Sequence, residues 1–153
     1  MAENSVITKE IQEMIGIEIG PVTYQIEDWM IREFAEVIDD SNPLWTDSEY
    51  AQKKGFKNIV APQTFLLNYL NLDQDEWARL VRCPLPNVLA GGSESEYFLP
   101  VIVGEHITVT GKLVDARERE GKGGKLLFLI FERTYKNQQG ELVTRARQTF
   151  IRY

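Results

Sequence analysis

Cysteine and histidine are almost absent: the chain has one of each, Cys83 and His106. One thiol excludes an internal disulfide, and one thiol with one imidazole makes no zinc-type cluster. Such sparse cysteine usage suits a reducing cytoplasm. Basic residues are in the minority, 17 Lys and Arg against 23 Asp and Glu, for a formal net charge of -6. An acidic surface repels phosphate backbones and anionic lipid, which argues against nucleic-acid and membrane-surface partners. No apolar run nears the roughly 20 residues of a membrane helix. Met1-Ala2-Glu3-Asn4-Ser5 lacks the basic start and apolar stretch of a secretory signal. No metal-ligand cluster and no nicotinamide or flavin fingerprint is present. The expectation is a cytoplasmic chain with no cofactor.

What is present is ordinary globular composition. The chain has 153 residues, which fits one domain, 1–153, with a proper core. No repeat or linker divides it. The first part reads as helices and loops. Thr8 to Ile15 suits a short amphipathic helix, and Gly20 to Gln25 a short strand. Met30, Ile31, Phe34, Ala35 and Ile38 fall at helical spacing from Glu27 on. That helix stops before the turn formers Asp39-Asp40-Ser41-Asn42-Pro43. Thr46 with Glu49 forms a candidate capping box for a helix over Asp47 to Lys53. Pro62 suits the first position of another helix. Its Phe65, Leu66, Tyr69 and Leu70 make a broad apolar face, so this helix is expected to be buried. Asp73 to Val81 suggests a further helical turn or two.

From Val88 onward the chain reads as strands. Ser93 to Pro100 alternates loosely, and His106 to Val114 places Ile107, Val109 and Leu113 on one face. Leu126 to Tyr135 starts as a continuous apolar run, as a central strand would. Asn137 to Gly140 is a hairpin turn, and Leu142 to Tyr153 the last strand, with Ala146 and Phe150 facing in. Gly91-Gly92 suggests a bulge. Lys122-Gly123-Gly124-Lys125 suggests a hairpin turn, with a coenzyme A phosphate as an alternative contact. The class is α+β: a curved antiparallel sheet wrapped around one buried helix. Its open edges invite dimerisation.

The most informative stretch is Asp40-Ser41-Asn42-Pro43-Leu44-Trp45, followed by Gly55-Phe56, Ile59-Val60-Ala61-Pro62 and later Phe98-Leu99-Pro100-Val101 with Gly104-Glu105. It resembles the hydratase motif of the MaoC-like proteins, the (R)-specific enoyl-CoA hydratases and 3-hydroxyacyl-thioester dehydratases of hot-dog fold. The resemblance runs from Glu18 to the end and is nearest to the FAS1-like, N-terminal branch of those dehydratases. It implies a substrate that is an acyl-CoA or acyl carrier protein thioester and a place in fatty acid metabolism. Removing water from a 3-hydroxyacyl thioester needs a base for the C2 proton and an acid for the departing hydroxyl. A backbone N–H stabilises the charge on the thioester oxygen.

The resemblance assigns Asp40 to the family's catalytic aspartate. Asn42 and Pro43 hold the turn. Gln63 stands where the family has its helix-starting glycine, with its backbone N–H as the oxyanion contact. The family's histidine position holds Trp45, whose indole donates one N–H and has no useful basicity. It cannot take the C2 proton.

Two explanations are open. The chain is an incomplete subunit that needs a MaoC-like partner, or a homodimer in which Asp40 works alone and Trp45 walls a substrate pocket. A hot-dog thioesterase using Asp40 or Glu49 as base, and a non-catalytic acyl-binding scaffold, are the competing functions. Simpler readings make Asp40 a turn residue, Asp39 a solvated neighbour, Trp45 a core or interface residue and His106 an exposed strand-end residue. Cys83 is assigned no role.

Overall fold

The computed structural model describes residues 5–70, 72 and 82–153. The elements run α1 (Lys9–Met14), β1 (Glu18–Gln25), α2 (Asp28–Val37), a short 3₁₀ turn (Pro43–Trp45), α3 (Ser48–Lys53), α4 (Phe65–Tyr69), β2 (Val88–Tyr97), β3 (His106–Gly121), β4 (Gly124–Lys136) and β5 (Leu142–Arg152). The five strands form one sheet in the order β1-β3-β4-β5-β2, with every pair antiparallel. This is the hot-dog arrangement, α+β, with a curved sheet around α4.

The inner face follows the period-two pattern. On β3, Ile107, Val109 and Leu113 are buried as the alternation predicts. On β4, Leu127, Leu129, Phe131 and Tyr135 are buried, and the strand is central. Phe65, Leu66 and Leu70 pack into one cluster with Ile107, Val109, Tyr135 and Val143 of the sheet and Ile31 and Phe34 of α2. A second cluster joins Ile11 of α1 to Leu113, Leu127, Leu129 and Phe131. Two helices thus cover two parts of one concave face.

Curvature comes from register shifts, which bend a strand and raise its twist. They occur between Ile19 and Val22, Leu113 and Asp115, Tyr135 and Lys136, and Ala90 and Gly92. The last is the bulge expected at Gly91-Gly92. A Cβ at Gly91 would stand 2.9 Å from Ile151 Cγ1, so a side chain there would have to push Ile151 aside.

Several boundaries differ from the sequence reading. The strand expected over Ser93 to Pro100 is Val88–Tyr97, and β3 runs on to Gly121. Among the described residues the buried helix is short and begins at Phe65 rather than Pro62. Pro62 instead opens the preceding turn, its carbonyl accepting from Phe65 N–H at 2.9 Å. Asp47, not Thr46, caps α3, its Oδ1 accepting from Tyr50 N–H at 3.0 Å. The helical turns expected over Asp73 to Val81 lie outside the described residues. Lys122 and Gly123 form the tight β3–β4 hairpin, and Lys125 pairs with Glu118 at 2.5 Å. No helix among the described residues is long and apolar enough to cross a membrane.

Candidate functional site

The Asp40–Trp45 segment is built by local hydrogen bonds. Helix α2 ends in a Schellman motif: Asp39 N–H donates to Glu36 O at 3.0 Å and Asp40 N–H to Ala35 O at 2.9 Å. Asp39 takes the left-handed position, φ 53°, where glycine is usual. The reversal throws Asp40 clear of the helix. Its carboxylate Oδ1 accepts from Asn42 N–H at 3.1 Å, and Asn42 Oδ1 accepts from Leu44 N–H at 3.0 Å. These are successive side-chain turns of the kind Asp and Asn make. Pro43 then opens the 3₁₀ turn with its φ already set. A left-handed non-glycine residue is strained by roughly 1–2 kcal/mol, less for Asp. Asp39→Gly is therefore expected to stabilise the fold by about 0.5–1 kcal/mol, read from a urea titration, and to leave the site unchanged. A loss of stability would mean that the Asp39 side chain makes a contact worth more than the strain.

The tertiary setting comes from a second set of bonds. Val60 N–H donates to Leu44 O at 3.0 Å, Ala61 N–H to Val101 O at 2.8 Å, and Val103 N–H to Ile59 O at 3.0 Å. They clamp the motif against the residues that lead into α4. Asp40 is half-buried, and its Oδ2 accepts no hydrogen bond among the described residues. Gln63 is exposed in the turn before α4, and its backbone N–H is likewise unpaired among the described residues. Among the described residues this leaves a carboxylate oxygen of Asp40 and the amide of Gln63 without a partner, on segments bonded side by side. The described α4 is too short for its dipole to add much at the Gln63 amide.

Trp45 is half-buried and packs against the main core cluster. Its Nε1 is buried and has no hydrogen-bond partner among the described residues. An unsatisfied buried donor costs about 1–3 kcal/mol. Trp45→Phe removes that donor together with some apolar packing, and the two changes oppose each other. Stability is expected to stay within about 1 kcal/mol of the parent. A loss above about 3 kcal/mol in a thermal or denaturant melt would show that the indole N–H is satisfied.

The other candidates fall elsewhere. His106 is exposed at the β1–β3 end, opposite Gln25. Glu49 is exposed on α3, and Cys83 packs at the rim of the second cluster. Behind the motif, Tyr69 of α4 donates to Glu33 of α2 at 2.6 Å. Desolvation first, then that bond, pushes the phenol up to about 12, which keeps it a neutral tie between the helices. Among the described residues no group of His, Cys, Asp and Glu is placed to hold a metal ion. The sequence reading missed one feature, a groove of about 960 Å³ between α4 and the inner face of β2, β4 and β5. Its lining residues lie far apart in the chain, and only folding brings them together.

Known proteins can now be set beside this geometry. A UPF0336 protein of Parafrankia sp. is 31% identical over 137 residues, covering 86% of this chain and 87% of that protein. A probable enoyl-CoA hydratase alpha subunit of Thermomonospora curvata is 27% identical over 167 residues, covering 95% of this chain and 51% of that protein. This chain is therefore similar to about half of that longer protein. Among solved structures, the HadBC (3R-hydroxyacyl-ACP dehydratase) complex of Mycobacterium tuberculosis superposes with a TM-score of 0.77 at 22% identity, over 90% of this chain and 96% of that one. At that identity the likeness speaks for the fold. Residues 13–146 match the FAS1-like, dehydratase domain region, and the chain belongs to that family.

Proposed function

We propose that this chain is one subunit of a 3-hydroxyacyl-thioester dehydratase, equally an enoyl-thioester hydratase. Its partner is a MaoC-like subunit that carries both the aspartate and the histidine. The observation that carries this reading is Trp45. The Asp40–Trp45 segment keeps its turn geometry, yet the residue in the base position has no basicity. Hydration needs two proton transfers, one at C2 and one at the incoming or departing oxygen, and this chain supplies one suitable side chain.

Two relatives support a subunit role. One bears the name alpha subunit, and the solved neighbour is a two-chain dehydratase complex. The open edge of β2 suits it too. Val88 and Leu89 there are 52% and 53% exposed, and among the described residues the strand has β5 on one side only. A partner strand along that edge would satisfy its free backbone groups and cover the apolar side chains. Asn42 holds the turn, the Gln63 amide faces the thioester oxygen, and Trp45 walls the acyl site. The substrate is an acyl-CoA or acyl carrier protein thioester, handled in the cytoplasm.

The test is hydration of trans-2-enoyl-CoA, followed by loss of enoyl-thioester absorbance. The chain is assayed alone and with a MaoC-like protein bearing the intact pair. A second reading rests on the free Oδ2 of Asp40. One carboxylate suffices as base for attack of water on a thioester, so a homodimer acting through Asp40 would be a thioesterase. Release of free thiol from acyl-CoA, lost in Asp40→Asn, identifies it. Tight binding of acyl thioester without turnover in any assembly identifies a scaffold.

A further inference from the structure

One row on the outer face of the sheet alternates in charge across all five strands. The register sets Glu18 opposite Lys112, Lys112 opposite Glu132, Glu132 opposite Arg147, and Arg147 opposite Glu94. Glu132, at the centre, is buried. Its carboxylate accepts from Arg147 Nε at 2.8 Å and lies 3.9 Å from Lys112 Nζ. In the next row Arg145 faces Glu96, with 3.7 Å between them. Opposite charges across a strand pair attract, and like charges repel. The row ends on β2, whose outer edge is open among the described residues. Ser93, Ser95 and Tyr97 line the inner groove, so Glu94 and Glu96 turn to the outer face. Glu94 is exposed and makes no ion pair among the described residues, while Arg147 is bonded to Glu132. The ladder therefore stops on an unmatched carboxylate, at the edge where a partner strand would lie.

A second copy of this chain fits that edge badly. In a two-fold antiparallel pairing of two β2 strands, every contact occurs twice. Centred on Ser95, the pairing sets Glu94 of one copy opposite Glu96 of the other. Centred on Glu94 or on Glu96, it sets that residue opposite itself. Centred on Ser93, it leaves the two Glu94 residues as diagonal neighbours. A register centred nearer Val88 is interrupted by the bulge between Ala90 and Gly92. Carboxylates so placed select against the pairing. We infer that the β2 edge refuses a second copy of this chain and takes an unlike strand that presents Lys or Arg opposite Glu94. The inference rests on the subunit reading above and adds the chemistry by which the partner is chosen. Leu89 near one end of the strand and Phe98 just past the other are exposed and apolar, so they supply affinity without discrimination. The carboxylates between them decide which strand is accepted.

The experiment is sedimentation of the full chain, alone and mixed with the MaoC-like protein of the hydration assay, at low and high salt. Alone, the chain is expected to self-associate weakly, and more tightly as salt screens the carboxylates. Glu94→Lys sets a lysine opposite Glu96 of the other copy, twice per dimer, and should tighten self-association by at least about ten-fold. Glu94→Gln with Glu96→Gln removes the repulsion without adding attraction and should give a smaller gain. The heteromer should respond the other way. Glu94→Lys should weaken it by at least about ten-fold, and salt should weaken the parent complex. A thermal melt confirms that each variant is folded. A tight homodimer of the parent chain, unmoved by salt and by Glu94→Lys, overturns the inference. So does a heteromer that Glu94→Lys leaves unchanged, because the carboxylates would then only keep copies apart. The hydratase reading survives either result if the mixture hydrates enoyl-CoA. A mixture that neither associates nor hydrates overturns the subunit reading itself, and this inference with it.

Discussion

Hydration of trans-2-enoyl-CoA by the isolated chain is expected to stay at background and to rise by roughly 10²–10⁴-fold once the intact MaoC-like subunit is added. The factor is what a positioned general acid–base group contributes. On the proposed reading, the partner's own carboxylate and imidazole would do both proton transfers in that complex. Asp40→Asn in this chain should then change the rate by less than about three-fold. A loss of about 100-fold or more on Asp40→Asn would place Asp40 among the reacting groups. Robust hydration by the chain alone, abolished by the same substitution, would mean that one carboxylate handles both protons and that Trp45 does not disable the site. The comparison is clean because Asp40's side-chain bond to Asn42 N–H uses Oδ1 as acceptor, and an Asn there still offers a carbonyl oxygen. The turn survives while the carboxylate is lost.

Phe65→Ala should cost about 3–5 kcal/mol of stability, the usual loss for emptying a large buried aromatic site. For a chain of this length each kcal/mol lowers Tm by about 2–4 °C. Phe65 is fully buried, stacks on Tyr69 at 5.1 Å and meets Phe34 edge to face at 5.6 Å. It thus joins α2, whose end at Val37 leads through the Schellman turn to Asp40, to α4, which starts two residues after Gln63. Its loss should loosen both halves of the site together, so acyl binding should weaken along with stability. Val37→Ala, at a position 76% exposed on α2, is the control and should stay within about 0.5 kcal/mol. A loss below about 1.5 kcal/mol for Phe65→Ala would mean that α4 is not the buried helix of this fold.

Much of the architecture was legible because half-buried elements repeat in their own period. Ile107, Val109 and Leu113 marked the inner face of β3, and Ile31, Phe34 and Ala35 the buried stripe of α2. Boundaries were less legible where two residues compete for one role. Thr46 and Asp47 are both good caps. The backbone decides between them: Thr46 ends the 3₁₀ turn at φ -132° and ψ -17°, whereas Asp47 takes the extended backbone, φ -124° and ψ 105°, that a cap requires. The Schellman end of α2 was hidden for a similar reason. Asp39 carries no glycine signal, and its left-handed turn is maintained by bonds back to Glu36 and, through Asp40, to Ala35.

By itself, then, the sequence determined the α+β class, the family, the Asp40–Asn42–Pro43 turn and an indole without basicity at position 45. All of these are written in local spacing and residue chemistry. The tertiary structure alone decided that the motif is clamped to the entry of α4 through Leu44 and Val60. It alone left the Trp45 N–H unpaired among the described residues, and it alone gathered Leu67, Ser93, Phe131 and Gln148 around one groove. Those facts depend on strand register and on which faces meet. Register and facing are set by long-range packing between segments whose spacing along the chain carries no trace of it.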